Sequence, residues 1–344
     1  MYLTEREIAD TPVSLARTYA YFLEKKPEIE AFFAKHRQRK FAFLGCGSSY
    51  MLAKGAAALF QSLPDTAACA VPAGDFLVNP DFWKNTLKDS IVVSLSRSGR
   101  TSEVVRAVKA IRASGCPVIS LCMRKENGIS PFNELEFIMD WCYDESVCQT
   151  RTVTNLYAGS LLLAAAYSSD GELTAAVAAA CNASRSFQEA NRPMMEKIAA
   201  LDWDRVVVLA DGPLCGIAEE GALAFTEIAM ISGSWFHLLD YRHGPVVISG
   251  PKTLTLVLAQ PGEDALQSAM VRELAQRGGP VVSVSELPGN PWGTAAHITI
   301  EGVSRFAAWG VPFIYLCQML ALLKSLELGG NPDAPAGLNA YIVL

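Results

Sequence analysis

Histidine is scarce in this sequence: His36, His237, His243 and His297 are the only four in 344 residues. A multi-histidine metal centre is therefore disfavoured. The nine cysteines are an odd number, and no two form a C-x-x-C pair. Several stand in apolar runs, such as Cys122 in VISLC and Cys317 in IYLCQML. Buried free thiols fit this pattern better than a disulfide framework or a zinc site. An excess of basic charge is also missing, with 29 Lys and Arg against 35 Asp and Glu, a net charge of −6. Without a basic footprint, general nucleic-acid binding is excluded. No clean apolar run reaches the roughly 18 residues of a membrane span. The nearest, Ala307 to Leu323, contains Gly310, Pro312 and Gln318 and predicts a buried helix. The opening MYLTEREIAD carries charges where a signal peptide needs an apolar run, so a cytoplasmic protein is expected.

What is present is ample core material: 51% of the residues are hydrophobic and 19% charged. Disorder is excluded, and the length suits roughly two domains of about 150 residues. Short apolar runs at Phe41–Leu44, Ile91–Leu95, Val118–Leu121, Arg205–Ala210, Thr253–Ala259, Pro280–Val284 and His297–Ile300 alternate with helical stretches. Near-continuous apolar strands joined by amphipathic helices predict parallel sheets covered on both faces. The spacing repeats: Leu44 to Leu209 is 165 residues and Leu95 to Ala259 is 164. A constant offset of domain size predicts two similar doubly wound halves from a duplication. Residues 1–40 are expected to form one or two helices, 41–170 the first α/β domain, 171–204 a helical linker containing Pro193, and 205–344 the second.

Two loops in the first half combine glycine with hydroxyls between a strand and a helix. One is Gly45-Cys46-Gly47-Ser48-Ser49 and the other Ser96-Arg97-Ser98-Gly99-Arg100-Thr101. Glycine allows close backbone approach, hydroxyls donate to phosphate oxygens, and a helix N-terminus adds unpaired N–H groups. At the carboxyl ends of parallel strands the two loops predict a phosphate cradle. Their counterparts in the second half, Asp211-Gly212-Pro213-Leu214 and Gln260-Pro261-Gly262-Glu263-Asp264, lack hydroxyls and carry carboxylates that repel phosphate. One phosphate site per chain is expected. Tyr50 occupies the third glycine position of a G-x-G-x-x-G fingerprint, and no G-x-x-x-x-G-K-[ST] occurs. A nicotinamide enzyme and a P-loop NTPase both fit poorly.

The stretch from Glu219 to Val246 carries the remaining chemistry. Gly221, Ala222, Ala224, Ala229 and Gly233 predict a closely packed helix, with Glu227 among Phe225, Ile228 and Met230. A carboxylate desolvated there would have a raised pKa suited to proton transfer, whereas an ordinary surface glutamate would not. Arg242-His243-Gly244-Pro245 sets an imidazole beside a turn, in a structural or a ligand-facing role. Trp235, Phe236, Trp292 and Trp309 are candidates for a sugar-binding wall or for core packing.

Taken in order, GCGSS, SRSGRT, EEGALAFTEI and YRHGP resemble the motifs of double sugar-isomerase (SIS) domain proteins, over the chain from about residue 40. Comparable members are the isomerase half of glucosamine-6-phosphate synthase, AgaS-type tagatose-6-phosphate isomerase/deaminases, and fructoselysine-6-phosphate deglycases. The resemblance implies two tandem SIS-type, flavodoxin-like αβα sandwiches and a sugar-phosphate substrate, with no metal or redox cofactor. It implies that Gly47, Ser48, Ser49, Ser96, Arg97, Ser98 and Thr101 hold the phosphate, and that Val147 and Gln149 line the sugar. Glu227 would move a proton between C1 and C2, and His243 would assist ring opening from the neighbouring subunit of a homodimer. The implied activity is aldose–ketose isomerisation, with or without amine expulsion, on an amino-sugar or Amadori-type 6-phosphate. A non-catalytic phosphosugar-binding regulator is the alternative. The synthase has a lysine three residues before the glutamate, where this chain has Ala224, and a second lysine in the region of Gly337-Leu338-Asn339-Ala340, where none occurs. No glutaminase segment precedes the first strand, so synthesis of glucosamine 6-phosphate from glutamine is not expected.

Overall fold

A computed structural model of the chain describes residues 1–37, 39–262 and 264–342. Glu263, part of the second half's loop noted above, lies outside the described residues. The chain opens with one long helix, α1 (Leu3–Lys35), followed by β1 (Lys40–Gly45), α2 (Ser48–Gln61), β2 (Ala67–Pro72), α3 (Ala73–Val78) and α4 (Pro80–Leu87). The first half continues through β3 (Ile91–Ser96), α5 (Ser102–Ala113), β4 (Val118–Cys122), β5 (Leu135–Ile138) and α6 (Arg151–Ser168). Helix α7 (Gly171–Ala199) crosses to the second half. There β6 (Arg205–Leu209), α8 (Cys215–Ile228), β7 (Ser232–Phe236), β8 (Thr253–Leu258), α9 (Ala265–Ala275), β9 (Val281–Ser285), β10 (Ala296–Thr299) and α10 (Gly310–Glu327) follow.

The sheets are two copies of one plan. The first has the order β2-β1-β3-β4-β5 and the second, read from its other edge, β7-β6-β8-β9-β10. Every pairing is parallel. This is the flavodoxin-like order, in which ligands bind where the connections diverge, at the strand ends between the first and third strands. The 165-residue offset in the sequence maps Leu44 in β1 onto Leu209 in β6, the corresponding strands of the two sheets.

Side-chain alternation divides the core as a two-residue period requires. Phe41, Phe43, Ile91, Val93 and Leu95 share one continuous buried cluster with Val206, Val208, Leu254 and Leu256 of the second sheet. Their alternates Ala42, Leu44 and Val92 pack under α3 and α5, whereas Val207, Leu209 and Val257 pack under α9. Residues of α7, such as Leu173 and Val177, belong to the shared cluster, so the crossing helix is itself core. The apolar stretch at 306–327 is long enough to cross a membrane, yet 89% of its most apolar 18-residue window is buried inside the molecule. Trp309 is 1% exposed and Trp292 6%, which makes both core residues rather than a sugar wall.

One expected helical residue is corrected. Gly233 lies in β7, because α8 stops at Ile228 and Met230 turns the chain with a φ of 55°. Glycine is needed at 233 for close packing, as a Cβ there would stand 2.1 Å from the Ala222 carbonyl oxygen.

Candidate active site

Two strand-to-helix turns make the first wall. Gly45 ends β1 directly under α2, where a Cβ would lie 2.5 Å from the Ser49 backbone, and Gly47 turns with a φ of 53°. At the end of β3, the Ser96 hydroxyl oxygen accepts from Gly99 N–H (2.9 Å), and the Ser98 oxygen accepts from Arg100 N–H (3.1 Å). Each hydroxyl proton is thus left to donate to an anion. Ser49, Ser96, Ser98 and Thr101 line a cavity of about 30 Å³ that Gln149 and Tyr341 also face. The N-termini of α2 and α5 supply N–H groups beside these turns.

Arg97 does not point at this cavity as a free cation. It is 3% exposed and donates to the carbonyl oxygens of Ser146 (2.8 Å), Val147 (3.2 Å) and Ala340. The guanidinium therefore fastens the loop carrying Val147 and Gln149 to the turn after β3, while Gln149 Oε1 is buried without a hydrogen-bond partner. Glu7 of α1 holds the other side of that loop, accepting from Glu145 N–H (2.7 Å) and from the Ser146 hydroxyl (2.5 Å). Asp144 accepts from Thr150 N–H (2.8 Å) and Thr152 N–H (2.9 Å). Burial, reinforced by the Glu7 charge, pushes the Asp144 carboxyl up to about 6.

The second wall is α8, pressed against α2. A Cβ on Gly216 would lie 2.3 Å from the Met51 carbonyl oxygen and 2.5 Å from Gly55 N. Gly55 meets Pro213 and Ser48, at the N-terminus of α2, meets Glu220, so the helices are antiparallel. The C-terminal half of α8 therefore projects beyond the N-terminus of α2, toward the turns of the first half. Glu227 sits in its last turn, and burial pushes its carboxyl up to about 6, against the opposing influence of the Arg97 charge. The anticipated desolvation of this carboxyl is present. Glu220, two turns earlier, is 3% exposed. Burial and the nearby Glu227 charge raise it well above the ordinary carboxyl range.

His243 stands elsewhere. Helix α8 ends where β7 begins, whereas His243 follows the far end of β7, after a short turn at Asp240–Arg242. A five-residue strand spans about 16 Å at its usual rise, so Glu227 and His243 of one chain flank opposite ends of the second sheet. The His243 side chain is exposed. Of the other histidines, His36 meets Glu134 (2.9 Å), His237 meets Asp211 (3.0 Å) and His297 meets Ser283 (2.8 Å). Trp235 is half-buried, with the Lys54 ammonium 5.8 Å from its ring centre. Among the described residues, no group of three or more His, Cys, Asp and Glu side chains converges to hold a metal ion.

The structure thus brings together Ser49, Ser96, Ser98, Thr101, the Val147–Gln149 loop and Glu227, and leaves His243 apart. Gly47 shapes the first turn, and Ser48 faces Glu220 instead of lining the cavity. Glu7, Asp144, Glu220 and the C-terminal segment, where Ser102 N–H donates to the Ile342 carbonyl oxygen (3.2 Å), were not expected at the site. Glu220 alone had a legible signal: it precedes Glu227 by seven residues, on one helix face.

Two flavodoxin-like sheets thus present a hydroxyl-lined cavity on one and a desolvated glutamate from the other. The SIS domain family matches residues 36–166 and 201–323, and the chain belongs to that family. It is 24% identical over 321 residues to D-galactosamine-6-phosphate deaminase AgaS of Shewanella sp. (strain ANA-3), covering 87% of this chain and 78% of that protein. It is 24% identical over 354 residues to a glutamine–fructose-6-phosphate aminotransferase of Caulobacter vibrioides, covering 98% of this chain but 58% of that one. Among solved structures, tagatose-6-phosphate ketose/aldose isomerase from Escherichia coli superposes with a TM-score of 0.85 at 19% identity, over 99% of this chain and 95% of that chain.

Proposed function

We propose that this protein is a phosphosugar isomerase or deaminase acting on an amino-sugar or Amadori-type 6-phosphate. The observation that carries the reading is the Glu227 carboxyl, raised to about 6 by burial and set within reach of the Arg97 charge at the phosphate-type turn. A base of that pKa is ionised at neutral pH yet strong enough to take a carbon-bound proton next to a carbonyl. The hydroxyls of Ser49, Ser96, Ser98 and Thr101 would grip the phosphate and fix the sugar chain along the cleft. Glu227 would then remove the C2 proton of the open-chain aldose, giving an enediol, and return it to C1 to give the ketose. With an amine on C2 the same transfer passes through an enolamine to an imine, which water hydrolyses to ketone and free amine. Ring opening would fall to His243 of a second copy, since the chain's own His243 flanks the other end of the sheet. The proposal therefore includes a homodimer with shared sites.

The test is a panel of hexose, hexosamine and fructosyl-amino-acid 6-phosphates incubated in D2O, with products and free amine identified by mass spectrometry. A converted sugar phosphate, with or without amine release, is the expected outcome. Binding without conversion of any member would overturn the enzymatic reading in favour of a phosphosugar-responsive regulator.

A further inference from the structure

Helix α8 carries a carboxyl that the proton transfer proposed above does not use. Glu220 is 3% exposed, and its Oε2 has no hydrogen-bond partner. A carboxylate buried in this way is unfavourable unless a cation or several donors meet it. The Ser48 hydroxyl donates to this carboxyl, which leaves Oε2 without a donor or a cation. Lys54 is committed to Glu219, at 2.6 and 2.9 Å from its two oxygens. Three of the contacts of Arg97 go to the carbonyls of Ser146, Val147 and Ala340. The position between the two carboxyls, four residues after Glu220 and three before Glu227, is the buried Ala224.

A second unpartnered acceptor stands between this helix and the hydroxyl-lined cavity. Gln149 Oε1, on the loop opposite, is buried and unpartnered. Its neighbour Cys148 lies within the electrostatic influence of Glu227, Arg97 and Glu220, which puts loop and helix face to face. The hydroxyl-lined cavity, which Gln149 borders, therefore stands on one side of the cleft and the orphaned Glu220 oxygen on the other. A ligand that complements both carries a phosphate at one end and a cationic amine at the other.

We infer that Glu220 is the amine-recognising residue of this site, its carboxylate receiving the ammonium group of an amino-sugar or ketosamine phosphate and selecting it over the hydroxyl counterpart. The inference rests on the phosphosugar reading above. In the empty site burial favours the protonated form of the Glu220 carboxyl. When the ammonium binds, Glu220 gives its proton to solvent, the amine keeps its own, and a charge-assisted N–H to O hydrogen bond forms. A hydroxyl in the same position meets the neutral acid, and no proton leaves Glu220.

The experiment is isothermal titration calorimetry at pH 6.5 in two buffers of different ionisation heat, using full-length Glu227→Gln protein to prevent turnover. The probes are glucosamine 6-phosphate against glucose 6-phosphate, and galactosamine 6-phosphate against galactose 6-phosphate. Reading the difference within each pair cancels protons taken up by the phosphate. The expected result is amine binding tighter by about tenfold or more, with about one additional proton released. Adding Glu220→Gln should abolish both differences and leave glucose 6-phosphate binding within about twofold. Amine preference that survives Glu220→Gln, or no preference in the protein that retains Glu220, overturns the inference. Should Glu220→Gln fail to fold, the proton count in the protein retaining Glu220 decides, and a count of zero overturns it. If none of the four sugars binds, the phosphosugar reading itself has failed. Equal binding of each pair removes the amine inference alone.

Discussion

The two halves share one topology and present opposite chemistry at equivalent places. The ends of β1 and β3 offer Ser49, Ser96, Ser98 and Thr101 around a small cavity. At the ends of β6 and β7, the counterparts of β1 and β2, stands the Asp211 carboxylate, 3.0 Å from His237, with the Cys215 sulfur 3.4 Å from the same ring nitrogen. Hydroxyls and helix N-termini attract an anion, whereas a carboxylate in the same place repels it. The second half contributes instead through the opposite end of its first β–α unit, where α8 presents Glu227 near the negative pole of the helix, a further reason for a raised carboxyl pKa. On the proposed function the two halves divide the work: one binds at its strand ends, and the other supplies a carboxyl from its helix terminus.

Because Glu227 and His243 flank opposite ends of the second sheet, the largest expected effect comes from mixing chains. Glu227→Gln and His243→Ala proteins should each be inactive, and refolding them together should restore about a quarter of wild-type activity, one intact site in each mixed dimer. Activity that stays absent would break the shared-site account. Next, Ser98→Asp gives the first half the carboxylate character of Asp211 and should weaken sugar-phosphate binding by about a hundredfold, read by calorimetry. Gly216→Ala forces a Cβ against Met51 at the α2–α8 contact and should lower unfolding free energy by about 2 kcal/mol in denaturant titration. The smallest effect is electrostatic. A Glu227 carboxyl moved from its ordinary 4.5 to about 6 favours the unfolded state wherever it must ionise. Glu227→Gln should therefore gain up to about 2 kcal/mol above pH 6, a gain that fades below pH 4.5. An equal gain at pH 4 would contradict that origin.

Much of the scaffold was legible because central parallel strands are apolar on both faces, as IVVSLS of β3 is. The strands that escaped, β2, β5 and β7, are three of the four sheet edges, and their burial is partial. AACAVP, LEFI and SGSWF therefore lack a continuous apolar signal. The two hydroxyl turns were visible as local patterns, and Glu227 as a charge among apolar neighbours. The supports of the Val147–Gln149 loop were not. Glu7 reaches Ser146 across 139 residues and Arg97 reaches Ala340 across 243, separations that no local pattern encodes. His243 was legible as a motif, but its distance from Glu227 emerged only once β7 was placed between them.

The most direct test of the division between a binding half and a reacting half is to measure substrate affinity and turnover separately in Glu227→Gln. The account predicts sugar-phosphate binding within about threefold of wild type and kcat lowered by about a thousandfold, the scale of a lost general acid–base group. Wild-type turnover in Glu227→Gln would contradict it.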